Sequence, residues 1–240
     1  MFQTILDIIY PVRCPICMEI VTPKGKRICP NCKERLPYIQ EPRCLKCSKP
    51  LEVEEKEYCS DCECKNFHFN RGYAVWVYNK AMMQSVSAFK YKSKKEFADF
   101  YTEEIITLYK KQLLKLNLDG IIPVPLHRTK YRERGYNQAF LLAKGIGEEL
   151  DIPVLNDLLI RTKKTVPQKN LNDMERLHNL KEAFQYNKES KSAFRSDLSR
   201  VLLVDDIYTT GCTIEACTNV LKENGMKEVY FMVLCIGKGF

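Results

Sequence analysis

No apolar run in these 240 residues approaches the length of a bilayer-crossing helix, so no membrane span is expected. No tract is biased toward a few residue types, which sets aside fibrous and low-complexity classes. The apolar start, Phe2 to Tyr10, is short and contains Asp7. It lacks the basic lead and small-residue cleavage site of a secretory signal, and is expected to form a short helix or strand packed on the body. With nothing pointing to secretion, a disulfide scaffold is not expected, and the chain is placed in the cytoplasm.

What is present is an ordinary globular composition, 45% apolar and 28% charged, long enough for a medium domain and a small module. The net charge is +8. Residues 1–70 hold 11 Lys/Arg against 10 Asp/Glu, and residues 71–240 hold 27 against 20, so the excess lies in the larger C-terminal part. A basic excess favours anionic ligands (phosphate, pyrophosphate, nucleic acid) without choosing among them.

Cysteine is abundant, with nine of twelve before residue 65. Four CxxC pairs run in series, Cys14/Cys17, Cys29/Cys32, Cys44/Cys47 and Cys59/Cys62, and the first cysteines of successive pairs are 15 residues apart. Two thiolates on one tight turn reach the same tetrahedral ion, and two such turns complete a four-thiolate shell, so eight ligands imply two structural zinc ions. A segment with so few large apolar residues would draw folding energy from the metal. A redox dithiol or disulfides are the alternatives, but single redox motifs do not come as four evenly spaced copies. Joining the first pair with the second and the third with the fourth closes the shortest loops. Cys64 and His68 lie just beyond and could replace a ligand, although spare surface residues are the simpler reading; Cys212, Cys217 and Cys235 read as small apolar residues.

The texture changes near Arg71. Strands are expected at 72–78, 121–125, 158–160, 201–204 and 229–235, and helices at 81–89, 96–116, 137–150 and 213–224. In the second helix Phe97, Phe100, Ile105, Leu108 and Leu113 are the inward candidates, and residues 172–184 are amphipathic. Strands alternating with helices predict an α/β domain with a mainly parallel sheet flanked by helices. The division expected is a zinc-ribbon module over residues 1–68 and an α/β domain over 69–240.

The segment Val201 to Thr213 carries the chemistry. An apolar strand delivers Asp205 and Asp206 to its C-terminal end, where α/β sheets bind ligands. Thr209, Thr210, Gly211, Cys212 and Thr213 then turn into a helix whose N-terminus offers N–H groups, hydroxyls and a favourable dipole to a phosphate. Gly211 would let the backbone come close, and the two acids suit vicinal sugar hydroxyls.

This segment resembles the phosphoribosyl pyrophosphate signature of type I phosphoribosyltransferases, and that resemblance implies that Asp205 and Asp206 hold the ribose hydroxyls while Thr209 to Thr213 wrap the 5′-phosphate. Tyr208 is bulkier than the aliphatic residue often found there. Further segments, Ile122 to His127, Arg134-Gly-Tyr-Asn-Gln138, Arg161 to Gln168, and Arg176 to Asn179 with Phe184, occur in this order and resemble the ComF (competence protein F) family over nearly the whole chain. That family joins an N-terminal zinc ribbon to a phosphoribosyltransferase domain. The resemblance implies phosphoribosyl pyrophosphate with Mg2+ as ligand, and a role in DNA uptake during natural transformation, with single-stranded DNA on the cytoplasmic side.

Phosphoribosyl transfer displaces pyrophosphate from C1 of ribose through an oxocarbenium-like transition state, and so needs a phosphate cradle, cations for the leaving group and exclusion of water. Leu126, His127 and Arg128 follow a strand as the pyrophosphate loop does in related enzymes. Arg128, Lys130, Arg132 and Arg134 form one basic cluster, and Arg161, Lys163, Lys164 and Lys169 another, which resembles a mobile loop closing over pyrophosphate. Arg134 and Arg161 are the favoured catalytic cations because arginine binds phosphate bidentately. Asn137 and Gln138 serve either the site or a helix cap, and His178 reads as a surface residue. Three functions compete: a phosphoribosyltransferase with an unidentified acceptor, a single-stranded-DNA factor using basic clusters near Tyr91, Tyr131 and Tyr136, and an adaptor whose ribbons dock a helicase-like partner.

Overall fold

The computed structural model describes residues 11–162, 183–193 and 198–237. Lys163, Lys164, Lys169 and His178, with the N-terminal apolar stretch and most of 172–184, fall outside them.

The N-terminal part is one small unit built twice, with a period of 30 residues rather than 15. Antiparallel bridges join Arg13 to Ile20 and, 30 residues on, Arg43 to Pro50. Cys14 N donates to Glu19 O and Cys44 N to Lys49 O, each at 2.8 Å. Met18 and Ser48 both take the left-handed conformation that ends the first knuckle of each copy. The second knuckles open short helices, α1 (Pro30–Glu34) and α2 (Ser60–Cys64). Odd and even CxxC pairs therefore differ in kind: a hairpin turn, then a helix start.

The larger part is a four-stranded sheet in the order β1 (Arg71–Val77), β6 (Glu228–Ile236), β5 (Arg200–Tyr208), β2 (Gly120–Pro123). Every neighbouring pair in it is parallel. Parallel strands need crossovers, and these are supplied by α3 (Lys80–Tyr91), α4 (Phe97–Lys115), α6 (Gln138–Leu150) and α8 (Cys212–Glu223). A separate antiparallel pair joins β3 (Leu159–Arg161) to β4 (Phe184–Tyr186), and α7 (Lys188–Ala193) follows. The expected class is thus observed, and the short helix α5 (Arg128–Arg134) is added inside a stretch that sequence showed only as a basic cluster.

Side chains alternate across each strand and feed two apolar layers. Leu202, Val204, Met232 and Leu234 pack with α3, α4 and α6 on one face. Val201, Leu203, Phe231 and Val233 pack on the other with α8, the β3–β4 pair and three cysteines of the second ribbon copy. Leu108, expected inside, is 39% exposed, while the unexpected Tyr101, Glu104 and Tyr109 of the same helix are buried. Helix α4 is covered by ribbon as well as by sheet, and that widens its buried face beyond a single apolar stripe.

The ribbons extend the β1 edge. Ile39 N and Val77 N bond to Val75 O and Pro37 O, and Gly72 N bonds to Lys46 O. On one face Glu104, buried on α4, pairs with Lys33 and accepts from Tyr38. The exposed pair Arg27–Asp99, at 2.6 Å, adds a surface tie.

Candidate functional site

Two cysteine tetrads form, Cys14/Cys17/Cys29/Cys32 and Cys44/Cys47/Cys59/Cys62, with the sulfurs of each within 4.8 Å of one another. Neighbours in sequence share a cluster, as loop length favours. Four convergent thiols with no disulfide among them fit structural zinc, which would bind the thiolates and contribute folding energy. Cys64 stays exposed outside the tetrads. His68 is not a ligand: its Nδ1 meets Glu215 Oε1 at 2.5 Å, and its backbone N–H donates to Glu215 Oε2 at 2.9 Å.

The paired acids lie inside β5, which runs on to Tyr208 rather than ending at Val204. They face opposite layers, as neighbours on a strand must. Asp206 is buried and bonds Lys90 of α3, Oδ1 to Nζ at 2.7 Å. Burial works to lower the Lys90 pKa, but the carboxylate of Asp206 overcomes it and holds the ammonium above its ordinary range. Asp205 accepts from the backbone N–H of Asp206 at 2.8 Å. Burial, reinforced by the charge of Asp206, pushes the Asp205 carboxyl up to about 7 against the opposing pull of Lys90 and Arg161. Lys90 is the site residue that sequence reasoning missed: on a lysine-rich stretch nothing marks which ammonium turns inward.

Beyond Asp206 the strand stays in register with β6. Ile207 packs with the α3–α4–α6 layer and Tyr208 with the ribbon-side layer. Tyr208 therefore lies under the turn, stacked on Phe231 at 4.9 Å. Gly211 has φ +82, which glycine accommodates without strain. A Cβ there would collide with Tyr208 Oη, so what the glycine admits is the protein's own ring. Thr209 is exposed, Thr210 and Thr213 are partly exposed, and Cys212 is buried at the first turn of α8. The open edge of the turn thus carries the side chains of Thr209, Thr210 and Thr213.

The basic residues converge from three elements. Arg134 closes α5 and donates to Gln138 Oε1 at 2.9 Å and to Tyr91 Oη at 3.0 Å, with its guanidinium 4.8 Å from the Tyr91 ring centre. Arg161 on β3 lies 5.2 Å from the Phe184 ring centre, and burial lowers its pKa, with the carboxylate of Asp205 pulling the other way. Lys130 is lowered by burial and then by Arg161, Arg134 and Lys90, so four cations share one field beside the two acids. His127 caps α5, accepting from Thr129 N at 3.3 Å, with Leu126 before it and Arg128 exposed after it. Asn137 caps α6 through Ala139 N and donates to Val124 O at 3.0 Å, tying that helix to the end of the β2 segment. Tyr91 and Tyr131 are exposed at 60% and 52%, but Tyr136 is core and donates to Phe89 O.

Paired ribbons ahead of a parallel sheet whose central strand carries two acids into a glycine turn make this a double-zinc-ribbon protein with a phosphoribosyltransferase-type domain. The family model described as "Double zinc ribbon domain" matches residues 5–63, and "Phosphoribosyl transferase domain" matches 137–239. The chain belongs to the competence protein F (ComFC) family. It is 30% identical to Competence protein ComFC of Streptococcus pneumoniae, over 84% of either chain. It is 29% identical to Competence protein F of Haemophilus influenzae, over 90% of this chain and 93% of that one. DNA utilization protein YhgH of Escherichia coli strain K12 is 25% identical over 92% and 89%. Among the described residues no helix is long and apolar enough to cross a membrane.

Proposed function

We propose that this protein binds phosphoribosyl pyrophosphate with Mg2+ at the end of β5 and acts in DNA uptake and handling in the cytoplasm. One observation carries the reading: two adjacent acids, one paired with Lys90, stand at the mouth of the hydroxyl-rich turn that opens α8, with Lys130, Arg134 and Arg161 in their field. Asp205 and Asp206 accept from the ribose hydroxyls. The 209–213 turn holds the 5′-phosphate through N–H and Thr hydroxyl donors and the α8 dipole. Magnesium, carried in with the pyrophosphate, supplies charge neutralisation of the leaving group. Lys90 holds the Asp206 carboxylate in place through their ion pair, and Arg134 and Arg161 stabilise charge on the departing pyrophosphate. Leu126 to Arg128 lie on the leaving-group side. The reaction class is pentosyl transfer.

Calorimetric titration with phosphoribosyl pyrophosphate and Mg2+ tests this. Saturable binding by the wild type that is lost in Asp205→Asn/Asp206→Asn supports it, and no binding by a folded, zinc-replete protein sinks it.

A second reading, a single-stranded-DNA factor in which the sugar-phosphate site is regulatory or vestigial, draws on the basic residues around the same acids. The C-terminal end of α3 and its loop carry Lys92, Lys94 and Lys95; α5 carries Arg128, Lys130 and Arg132; exposed Tyr91 and Tyr131 stand among them. Cations that track phosphates, interleaved with rings that stack on bases, suit a single strand. Its mark is affinity for oligonucleotides that falls steeply with salt and is weakened by Tyr91→Ala.

A further inference from the structure

We infer that the second cysteine tetrad, Cys44/Cys47/Cys59/Cys62, is the base on which the Thr209–Thr213 turn is built, so that metal at this site, and not at the first, holds the turn in shape. The consequence for ligand binding rests on the function proposed above; the consequence for the order of the turn does not.

A continuous wall of contacts carries the inference. Cys44, Cys47 and Cys59 are buried in the same apolar cluster as Phe67, Phe69, Tyr208, Cys212 and Phe231. The Tyr208 ring stacks on Phe231 and meets Phe69 edge-on at 6.4 Å. Lys49 Nζ stands 5.9 Å from the centre of that ring and pairs with Asp61, which lies between Cys59 and Cys62 in the last knuckle. On the other side of the ring is the turn: a Cβ at Gly211 would collide with Tyr208 Oη and come within 3.0 Å of Phe67 Cζ. Among the described residues the Tyr208 hydroxyl has no hydrogen-bond partner, so packing alone locates it. A second strut runs in parallel, from His68 to the buried Glu215 in the first turn of α8.

Among the described residues no cysteine of the first tetrad belongs to this cluster. Its copy is tied through Lys33, Tyr38 and Arg27 to Glu104 and Asp99 of α4, on the opposite face of the sheet. Without metal the second tetrad loses the bonds that close its two knuckles. Lys49, Asp61 and Phe67 then lose their fixed places, and the turn loses its floor.

The test is hydrogen exchange on the full chain, comparing Cys47→Ser/Cys62→Ser with Cys17→Ser/Cys32→Ser. The second-site variant is expected to speed exchange over residues 208–215 about tenfold or more while β2 and α6 stay protected, and the first-site variant is expected to leave 208–215 as in the wild type. Unchanged exchange in the second-site variant, or an equal effect from the first, overturns the inference. Should the second-site variant unfold throughout, Tyr208→Leu decides, since it keeps all eight cysteines. It is expected to speed release of one zinc of the two to a chelating dye, and wild-type release of both overturns the inference. Titration of the wild type with phosphoribosyl pyrophosphate and Mg2+ runs alongside. Failure to bind removes the proposed ligand and leaves the exchange result standing.

Discussion

The two ribbon copies have the same ligand spacing, the same knuckle hydrogen bonds and the same short helices, yet they occupy different environments. In the first tetrad Cys17 is exposed and only Cys14 is buried; in the second, three of four cysteines are buried. The first copy is a bracket held to α4 by ion pairs and a little apolar surface. The second is part of the wall of the domain, continuous with the layer beneath the acidic strand. One local design therefore serves two purposes, and the difference comes from the neighbours and not from the ligands.

The largest expected break in this comparison is metal loss. Cys47→Ser should lower stability by about 4 kcal/mol or more, and Cys17→Ser by about half as much, because only the former also opens the apolar core. Thermal denaturation with and without chelator measures both. Next, Glu104→Ala should cost about 2 kcal/mol, since it removes the buried acceptor shared by Lys33 and Tyr38. Its signature is that exchange rises across the first ribbon and stays unchanged across 208–215; a rise across both would erase the distinction between the copies.

The acids extend the contrast, because Asp205 faces the second ribbon's layer and Asp206 the first's. With Asp205 pushed up to about 7, Mg2+–phosphoribosyl pyrophosphate should bind about tenfold more weakly at pH 6 than at pH 8, a slope that Asp205→Asn should flatten even if residual binding is low. The sign for stability is opposite. The folded chain holds a proton on Asp205 that the unfolded chain, near 3.8, has lost, so stability from this group falls as pH rises between 3.8 and about 7. Denaturation midpoints across that window, in wild type and Asp205→Asn, should diverge accordingly. The smallest effect is Arg27→Ala: both partners of the Arg27–Asp99 pair are exposed, and the loss should be about 0.5 kcal/mol or less by denaturant midpoint.

Much of the site was legible because it is local. The apolar run before Asp205, the glycine turn and the helix after it occupy adjacent residues, so strand, turn and helix could be assigned together. The cysteine spacing likewise implied metal and favoured the pairing seen. Lys90 and Tyr208 were not legible in their roles. One is a lysine among four between 90 and 95, and its inward turn follows from the phase of α3 against a strand more than a hundred residues away. The other read as a bulky departure within a phosphate loop, whereas its ring stacks on Phe231 beneath the loop. The period of 15 misled for a related reason: cysteine spacing alone does not distinguish a hairpin knuckle from a helix-start knuckle.

By itself the sequence determined what short-range chemistry determines: eight thiols in metal-binding turns, alternating strands and helices, and an acid pair feeding a helix N-terminus. Tertiary structure alone decided which of two equal ribbons supports the turn, which lysine meets Asp206, and which face each acid looks toward. These depend on residues distant in the chain meeting across a sheet, where the sign of a strand's pleat and the phase of a helix, and not residue type, set who is whose neighbour.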